Sequence, residues 1–313
     1  MCDKMPEALQ MNEKKIYLGG RIVSYDRARL SVLDRGLNYG DGLFETIKAT
    51  SGQAQYLDDH LDRLRRGALA LGFSKKSIEP LLNDISNGAI EKLLKANGLD
   101  IGAKTACVKI VVTRGPSERG LLPPSPVKPS FIMTAGEVDE KAMARLRSKG
   151  VNAIISKGPC PALPGVKTLN CLPGVLARME AKKAGAEEAI FTGPGMELLE
   201  ATGANLFIVE RGVLKTPPVN EDPYGPGVLP GVTRKAVFAL AGALGIRLMA
   251  QRLFKSDLER CAEAFLTNSV KGIVPLVQAD GAPIGDGRPG PVTRALQKTL
   301  HPLKGKAGRS AQS

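Results

Sequence analysis

Val166-Lys167-Thr168-Leu169-Asn170-Cys171-Leu172-Pro173 sets one lysine in an otherwise uncharged run, directly ahead of a helix. Leu172, Val175, Leu176 and Met179 recur at i, i+3, i+4 and i+7, Pro173 suits a first turn and Gly185 a C-cap. The nearest acidic residue downstream is Glu180, so no local carboxylate holds Lys167 protonated. A lysine in an apolar, desolvated place has a lowered pKa and can act as nucleophile or base, as Schiff-base lysines do. The plain alternative is a solvated surface lysine, and the segments that accompany this one decide between the two.

The chain has 313 residues, 43% hydrophobic and 24% charged, the balance of a globular protein of one large or two ordinary domains. No apolar run approaches the roughly 18 residues of a membrane span, and MCDKMPEALQMNEKK lacks the apolar core of a signal peptide. Cys2, Cys107, Cys160, Cys171 and Cys261 are odd in number and scattered, and His60 and His301 are the two histidines, which argues against a metal site. Reduced thiols without an export signal predict the cytoplasm. The net charge of +13 invites a nucleic-acid reading. The cations are nevertheless spread out and interleaved with acids, there is no tryptophan, and aromatic content is 4%, so no stacking platform is foreseen. Capture of a small anionic ligand explains the charge equally well.

The pattern along the chain predicts an α+β architecture in two domains. In the first, at 1–135, Gly19-Gly20 marks a hairpin, strands are expected at 43–49 and 53–57, and two helices follow. Asp58 or Asp59 is expected to cap the first helix, closed by Gly72, and Ser77 to open the second, with Ile78, Leu81, Leu82, Ile85 and Ala89 inward. Buried strands are expected at 106–113 and 130–134. The polar stretch 136–148 reads as a linker. The larger domain, 149–303, restarts with strands near 151–155, 187–192, 204–209, 213–216, 246–250, 263–267 and 273–278. Its helices are expected at 172–184, 233–244, 256–261 (Ser256-x-x-Glu259 as a capping box) and 291–300. Residues 304–313 read as a disordered basic tail.

Five further segments carry chemistry. Glu200, followed by small residues and the apolar run from Asn205, is a carboxylate at the lip of a site. Leu229-Pro230-Gly231-Val232-Thr233-Arg234 runs into a helix whose exposed N–H groups form an anion cradle. His60-x-x-Arg63 offers a guanidinium that can hold a phosphate bidentately. Lys109 to Arg119-Gly120 and Thr267-Asn268-Ser269-Val270 supply cations and a polar turn. Each alone also reads as a turn or a surface charge.

Together, in order and spacing, they closely resemble the class IV aminotransferase family, the fold-type IV enzymes that use pyridoxal phosphate. The resemblance runs from about Ile16 to Leu303. It rests on Asp34-Arg35-Gly36…Tyr39-Gly40-Asp41-Gly42-Leu43-Phe44-Glu45, His60-x-x-Arg63-Leu64, Lys167-Thr-Leu-Asn170, Glu200-x-x-x-x-Asn205-Leu-Phe, Leu229-Pro-Gly-Val-Thr-Arg234 and Gly285-Asp-Gly-Arg-Pro-Gly-Pro291. It implies that Lys167 carries the cofactor as a Schiff base and shuttles a proton. It implies that Glu200 pairs with the ring nitrogen, and that Arg63, Ser269 and the N–H groups of Val232 and Thr233 hold the phosphate. It also implies a homodimer with sites near the subunit interface.

On the substrate side the resemblance is greatest to the aminodeoxychorismate lyases, which release pyruvate and leave 4-aminobenzoate. They share the Lys-x-Val-x-x-x-Arg-Gly strand from Lys109 to Gly115, an Arg-Gly pair matching Arg119-Gly120, and Asn at the place of Asn268; they usually carry tyrosine where Leu121 stands. Phe44 replaces a tyrosine of the D-amino-acid aminotransferases, and Asn268-Ser269-Val270-Lys271-Gly272 departs from the branched-chain pattern. Two cations, Lys109 and Arg119, suit a substrate with two carboxylates, whereas a leucine side chain wants an apolar pocket. The expectation is a lyase, with a branched-chain or D-amino-acid aminotransferase as the alternative.

Overall fold

The computed structural model describes residues 14–118, 120–123, 125–220, 222 and 227–300. These fall into two compact units, one ending at Val138 and the other beginning at Asp139. The expected basic tail at 304–313 lies outside the described residues.

The first unit is built on a six-stranded antiparallel sheet. Its strands are β1 (Lys15–Leu18), β2 (Arg21–Ser24), β3 (Gly42–Thr50), β4 (Gln53–Ala54), β5 (Thr105–Thr113) and β6 (Ser130–Glu137), in the order β2-β1-β6-β5-β3-β4. Side chains alternate across a pleated strand. Leu43, Ile47 and Ala49 of β3 and Ala106, Val108, Ile110 and Val112 of β5 therefore share one buried face. Leu61 and Leu64, Ile78 and Leu81, and Ile90 and Leu93 close that face from three helices. Among the described residues four α-helices stand here where two were expected: α1 (Arg35–Tyr39), α2 (Leu57–Ala70), α3 (Lys75–Ser86) and α4 (Ala89–Ala96).

Each difference has a local cause. Asp34 caps α1 by accepting from Gly36 N at 2.8 Å. Gly88, at φ +81°, divides the inward run into α3 and α4. The strand expected at 53–57 stops at Ala54, and α2 begins at Leu57 with Asp58 and Asp59 in its first turn, where they complement the helix dipole rather than cap it. Ser74, not Ser77, caps α3, its hydroxyl accepting from Ser77 N at 3.2 Å. The expected linker is structured: β6 reaches Glu137, and α5 (Glu140–Lys149) follows, capped by Asp139, which accepts from Ala142 N at 3.0 Å. No residue of α5 is fully buried, so it shows no apolar stripe to read.

The second unit holds a nine-stranded mixed sheet. It comprises β7 (Val151–Ile155), β8 (Glu188–Thr192), β9 (Leu198–Ala201), β10 (Asn205–Glu210), β11 (Val213–Thr216), β12 (Leu248–Ala250), β13 (Glu263–Asn268), β14 (Gly272–Ala279) and β15 (Ala282–Pro283). The order is β12-β11-β10-β13-β14-β7-β8-β9, with β15 beside β14. Its helices are α6 (Leu172–Lys183), α7 (Val232–Ala243), α8 (Lys255–Arg260) and α9 (Pro291–Thr299). Both faces of the central strands are covered, so β10 and β13 are near-continuous apolar runs. On one face Phe207 and Phe265, stacked with centroids 4.9 Å apart, pack against Val237 and Ala241 of α7 and Leu296 of α9. On the other, Leu206, Ile208, Leu266, Val274 and Leu276 pack with Leu253 and Leu258. Ser256 does not open α8; Asp257 accepts from Phe254 N at 2.7 Å and fixes the first turn.

α6 connects the parallel strands β7 and β8, yet its apolar stripe faces away from them. Leu172, Val175, Leu176 and Met179 are 65%, 51%, 45% and 53% exposed, while Ala177 and Ala181 are buried against Ala189 and Phe191. Small side chains let the helix lie close to the sheet and leave the large ones outward. Among the described residues no helix is long and apolar enough to cross a membrane.

α9 is capped from a distance. Glu263 of β13 accepts from Val292 N at 3.0 Å and from Thr293 N and Oγ1 at 2.8 and 2.7 Å, and a Cβ at Gly290 would collide with it. Glu263→Gln replaces an acceptor oxygen with a donor facing donors. Urea unfolding is expected to show a loss of about 1–3 kcal/mol; an unchanged midpoint would show that this cap contributes nothing.

Candidate active site

In the second unit three segments meet at one amide. Asn205, at the start of β10, donates through Nδ2 to Glu200 Oε2 at 2.9 Å and to Leu229 O at 2.9 Å. Leu229 N donates to the same Glu200 oxygen at 3.3 Å. The carboxylate of β9 is thereby tied to the loop that leads into α7. Gly231 is required there, because a Cβ would strike Asn205 Oδ1.

Val232 and Thr233 are the first two residues of α7, both buried, and no side chain caps this helix. Their N–H groups are among the donors that an α-helix cannot satisfy internally, which makes this end an anion site. Thr267 of β13 pairs in register with Asn205 of β10, so the two side chains share a face, and its Oγ1 is buried with no hydrogen-bond partner among the described residues. Arg234 is also buried. It donates to Pro217 O at 3.1 Å and lies 4.6 Å over the Phe238 ring, and its Nε has no hydrogen-bond partner among the described residues. Burial pushes its pKa down to about 10, with Glu200 opposing the shift.

The turn after Thr267 carries Asn268 and the half-buried Ser269. Asn268 Oδ1 accepts from Val270 N and Lys271 N at 2.9 and 3.0 Å, and Nδ2 donates to Gly203 O at 2.7 Å. The Asn268 side chain thus holds the Ser269 turn to the loop that follows Glu200. Glu200, the start of α7 and Ser269 are brought together by these links. Lys167 is half-buried in the segment between β7 and α6, beside the buried Val166.

The remaining predicted residues belong to the first unit. Arg63 is buried on α2 and donates from Nε and Nη2 to the two oxygens of Glu45, both at 2.7 Å. His60 Nδ1 lies 2.7 Å from Glu45 Oε2. Burial pushes the Glu45 carboxyl up, but its hydrogen bonds to Arg63 and His60 together with the charge of Arg63 outweigh that and hold it at about 2. Lys109 is exposed on β5, its Nζ 4.9 Å from the centre of the half-buried Phe44 ring. Arg119 lies outside the described residues. The adjoining segment is clamped by Arg35, which donates to Gly120 O at 2.8 Å and Leu121 O at 2.7 Å while its Nε meets Asp41 at 2.8 Å.

Sequence reasoning assigned no role to Glu45, Asn205, Thr267 or Arg234. A signal existed for Glu45, a carboxylate at an inward position of the run Leu43, Glu45, Ile47 facing a helix with His60 and Arg63 one turn apart. Thr267 and Arg234 lie within quoted motifs, the polar turn and the run into the helix, but nothing in the sequence shows that their polar atoms are buried.

The model of the amino-transferase class IV family matches residues 42–279. The chain belongs to this family. Its similarity to a provisionally named branched-chain-amino-acid aminotransferase of Methanocaldococcus jannaschii is 36% identity over 94% of this chain and 98% of that one. With the D-alanine aminotransferase of Staphylococcus aureus it is 31% identical over 91% and 96%. Among solved structures, the branched-chain aminotransferase of Escherichia coli superposes with a TM-score of 0.79 at 28% identity, covering 91% of this chain and 92% of that one. The T.th. branched-chain enzyme with pyridoxamine 5'-phosphate gives 0.77 at 28% over 91% and 92%. The 4-amino-4-deoxychorismate lyase of Pseudomonas aeruginosa gives 0.72 at 32% over 91% and 97%. The fold is that of the fold-type IV enzymes, as the sequence motifs implied. The weight of the comparisons falls on aminotransferases rather than on the lyase that the strand from Lys109 to Gly115 suggested.

Glu45 gives this class IV enzyme a pH signature. Its pKa falls from an ordinary 4.5 to about 2 on folding, so the stability it contributes is complete above about pH 4.5 and is lost as pH drops toward 2. Denaturant titrations between pH 6 and about pH 2.5 should show that loss in the parent and a shallower one in Glu45→Gln. Parallel acid limbs would mean that Glu45 is not the group responsible.

Proposed function

We propose that this chain is a pyridoxal-phosphate-dependent aminotransferase acting on aliphatic α-amino acids, branched-chain L-amino acids foremost. The observation that carries the cofactor assignment is the Glu200–Asn205–Leu229 knot beside the uncapped start of α7. The donor set fits the cofactor: a fixed carboxylate for a ring nitrogen, helix N–H groups for a phosphate, and two orphaned buried polar atoms, Thr267 Oγ1 and Arg234 Nε, in the same neighbourhood. When bound, pyridoxal phosphate supplies a ring that stores the electron pair of a carbanion formed beside its imine.

The chain's own residues do the rest. Lys167 would hold the cofactor through Nζ and, once the incoming substrate amine has displaced and freed that Nζ, would take the proton from the substrate α-carbon. Glu200, oriented by Asn205 and Leu229 N, keeps the ring nitrogen protonated. The N–H groups of Val232 and Thr233 and the Ser269 hydroxyl would bind the phosphate, and Arg63 is proposed for the same role from its motif. Asn268 acts by holding the Ser269 turn.

For the substrate, Phe44, Val111 and Ile132 form a cross-strand row of half-buried apolar side chains on the sheet face opposite the helices. Such a row suits an aliphatic side chain. Lys109, seated over Phe44, and Arg119 are assigned to the substrate's carboxylate. The lyase is the second reading, favoured by those two cations and by the likeness to the Pseudomonas aeruginosa lyase. A homodimer is part of the proposal, supported by the outward apolar stripe of α6, which water contact disfavours.

Supplying L-leucine or D-alanine with 2-oxoglutarate, and separately 4-amino-4-deoxychorismate, separates the readings. Glutamate formed from L-leucine is the expected result; pyruvate released from aminodeoxychorismate, without transamination, would decide for the lyase. Lys167→Ala should abolish turnover in a folded protein, and borohydride reduction of the parent should place the pyridoxyl group on Lys167. Glu200→Gln should keep bound cofactor and lose most activity, and undiminished turnover there would remove Glu200 from the machinery.

A further inference from the structure

We propose that a cleft of the second unit, beside the turn between β8 and β9, binds an aliphatic α-amino acid as a zwitterion. Glu197 meets its ammonium and Arg252 its carboxylate. The cleft has a volume of about 510 Å³, and its walls include Glu197, Leu199, Pro217, Pro218, Val219 and Arg252. Small-molecule sites occupy about 300–1,000 Å³. Among the described residues that line it are none of Lys167, Glu200, Val232, Thr233 and Ser269. Leu199 and Glu200 are neighbours on β9, so their side chains point to opposite faces of that strand. The cleft is therefore separate from the candidate active site.

Glu197 is 9% exposed, and its Oε2 is buried with no hydrogen-bond partner among the described residues. The turn is shaped around this group, because a Cβ at Gly193 or at Gly195 would strike the carboxylate. A buried carboxylate oxygen without a donor is costly, so its place in a cleft wall points to a ligand that brings the donor. One carboxylate offers too few oxygens for a metal ion, and no group of three His, Cys, Asp or Glu able to hold one is present among the described residues. Arg252 supplies the opposite charge. Its neighbours are anchored, Gln251 N donating to Thr216 O at 3.0 Å and Leu253 O accepting from Leu198 N at 2.6 Å. Its exposed side chain lines the same cleft and makes no hydrogen bond to Glu197 Oε2. Opposite charges that share a cleft without that bond match a ligand carrying both signs on one carbon, and a guanidinium fork suits the carboxylate end. Leu199, Pro217, Pro218 and Val219 suit an aliphatic side chain. The proline wall is held in place, with Pro217 O accepting from Arg234 at 3.1 Å and Pro218 O from Val228 N at 3.3 Å, so little ordering is needed on binding.

The test measures binding without turnover. Holoenzyme is reduced with borohydride, which fixes the cofactor so that no added amine reacts with it, and equilibrium dialysis follows radiolabelled L-leucine. Two analogues each remove one charge: 4-methylvalerate lacks the ammonium and 3-methylbutylamine lacks the carboxylate. L-Leucine is expected to bind saturably and about ten-fold or more tighter than either, the scale of one charge-assisted hydrogen bond. Glu197→Gln should weaken L-leucine and 3-methylbutylamine by a similar factor and leave 4-methylvalerate unweakened. Arg252→Gln should weaken L-leucine and 4-methylvalerate and spare the amine. Arg252 is exposed, so its variant keeps the test in force if Glu197→Gln does not fold. No saturable binding at millimolar L-leucine would overturn the site, as would binding that neither substitution changes, which would lie elsewhere on the protein. Equal affinity for all three ligands would overturn the zwitterion. None of these outcomes depends on which substrate the enzyme turns over.

Discussion

The side-chain amide of Asn205 joins parts of the second unit that the sheet alone would leave unconnected. By donating to Glu200 and to Leu229 O, it ties an edge strand, a central strand and the entry to α7 into one corner. Asn205 is buried there, where an unmet donor or acceptor costs far more than a met one gains. The constraint spreads outward from it. Gly231 must lack a side chain because Asn205 Oδ1 occupies the space, and because Gly231 is also the N-cap residue of α7, that helix starts without a side-chain cap. The face shared by Asn205 and Thr267 continues into the stacked pair Phe207 and Phe265, so the polar corner stands on an aromatic core.

The first unit follows a parallel logic with charge. Three carboxylates are inside or half-buried, and each is met by several donors. Asp34 accepts from Gly36 N, Thr113 Oγ1 and Ser130 Oγ. Asp41 joins Arg35 and Arg114. Glu45 joins His60 and Arg63. Buried ion pairs contribute little net stability compared with apolar packing, because desolvation offsets attraction. Their use here is geometric: each aims a guanidinium or anchors a loop, and all three carboxylates lie on the motif from Asp34 to Glu45 that first pointed to the family.

Much of the fold is legible in order and kind. The elements of the second unit from Val151 to Thr299 follow the expected sequence, with most boundaries moved by one or two residues, because their strands and helices bury enough apolar surface to leave a periodic trace. The misreadings cluster where that trace is absent. α5 has no buried residue, β9 is four residues long, and α3 and α4 share a continuous apolar run that a left-handed glycine divides. The candidate site divides in the same way. Lys167, Glu200 and the start of α7 stand out as local motifs, whereas Thr267 and Arg234 do not, since a buried polar atom without a partner is a property of surroundings.

By itself the sequence determined the class of the protein: a two-part α+β fold, a family carried by six motifs in register, and a lysine, a carboxylate and a helix start suited to one cofactor. These are read locally, because propensity, periodicity and spacing are written along the chain. Only the tertiary structure decided which groups act on one another. Glu45 reaches Arg63 across 18 positions and Glu263 caps a helix 30 positions away. The apolar stripe of α6 turned outward because alanines, not leucines, fit against β8. The physical reason is the same in each case: a hydrogen bond or a close contact depends on distance in space, and distance in space is set by how sheets and helices pack, which no local pattern encodes.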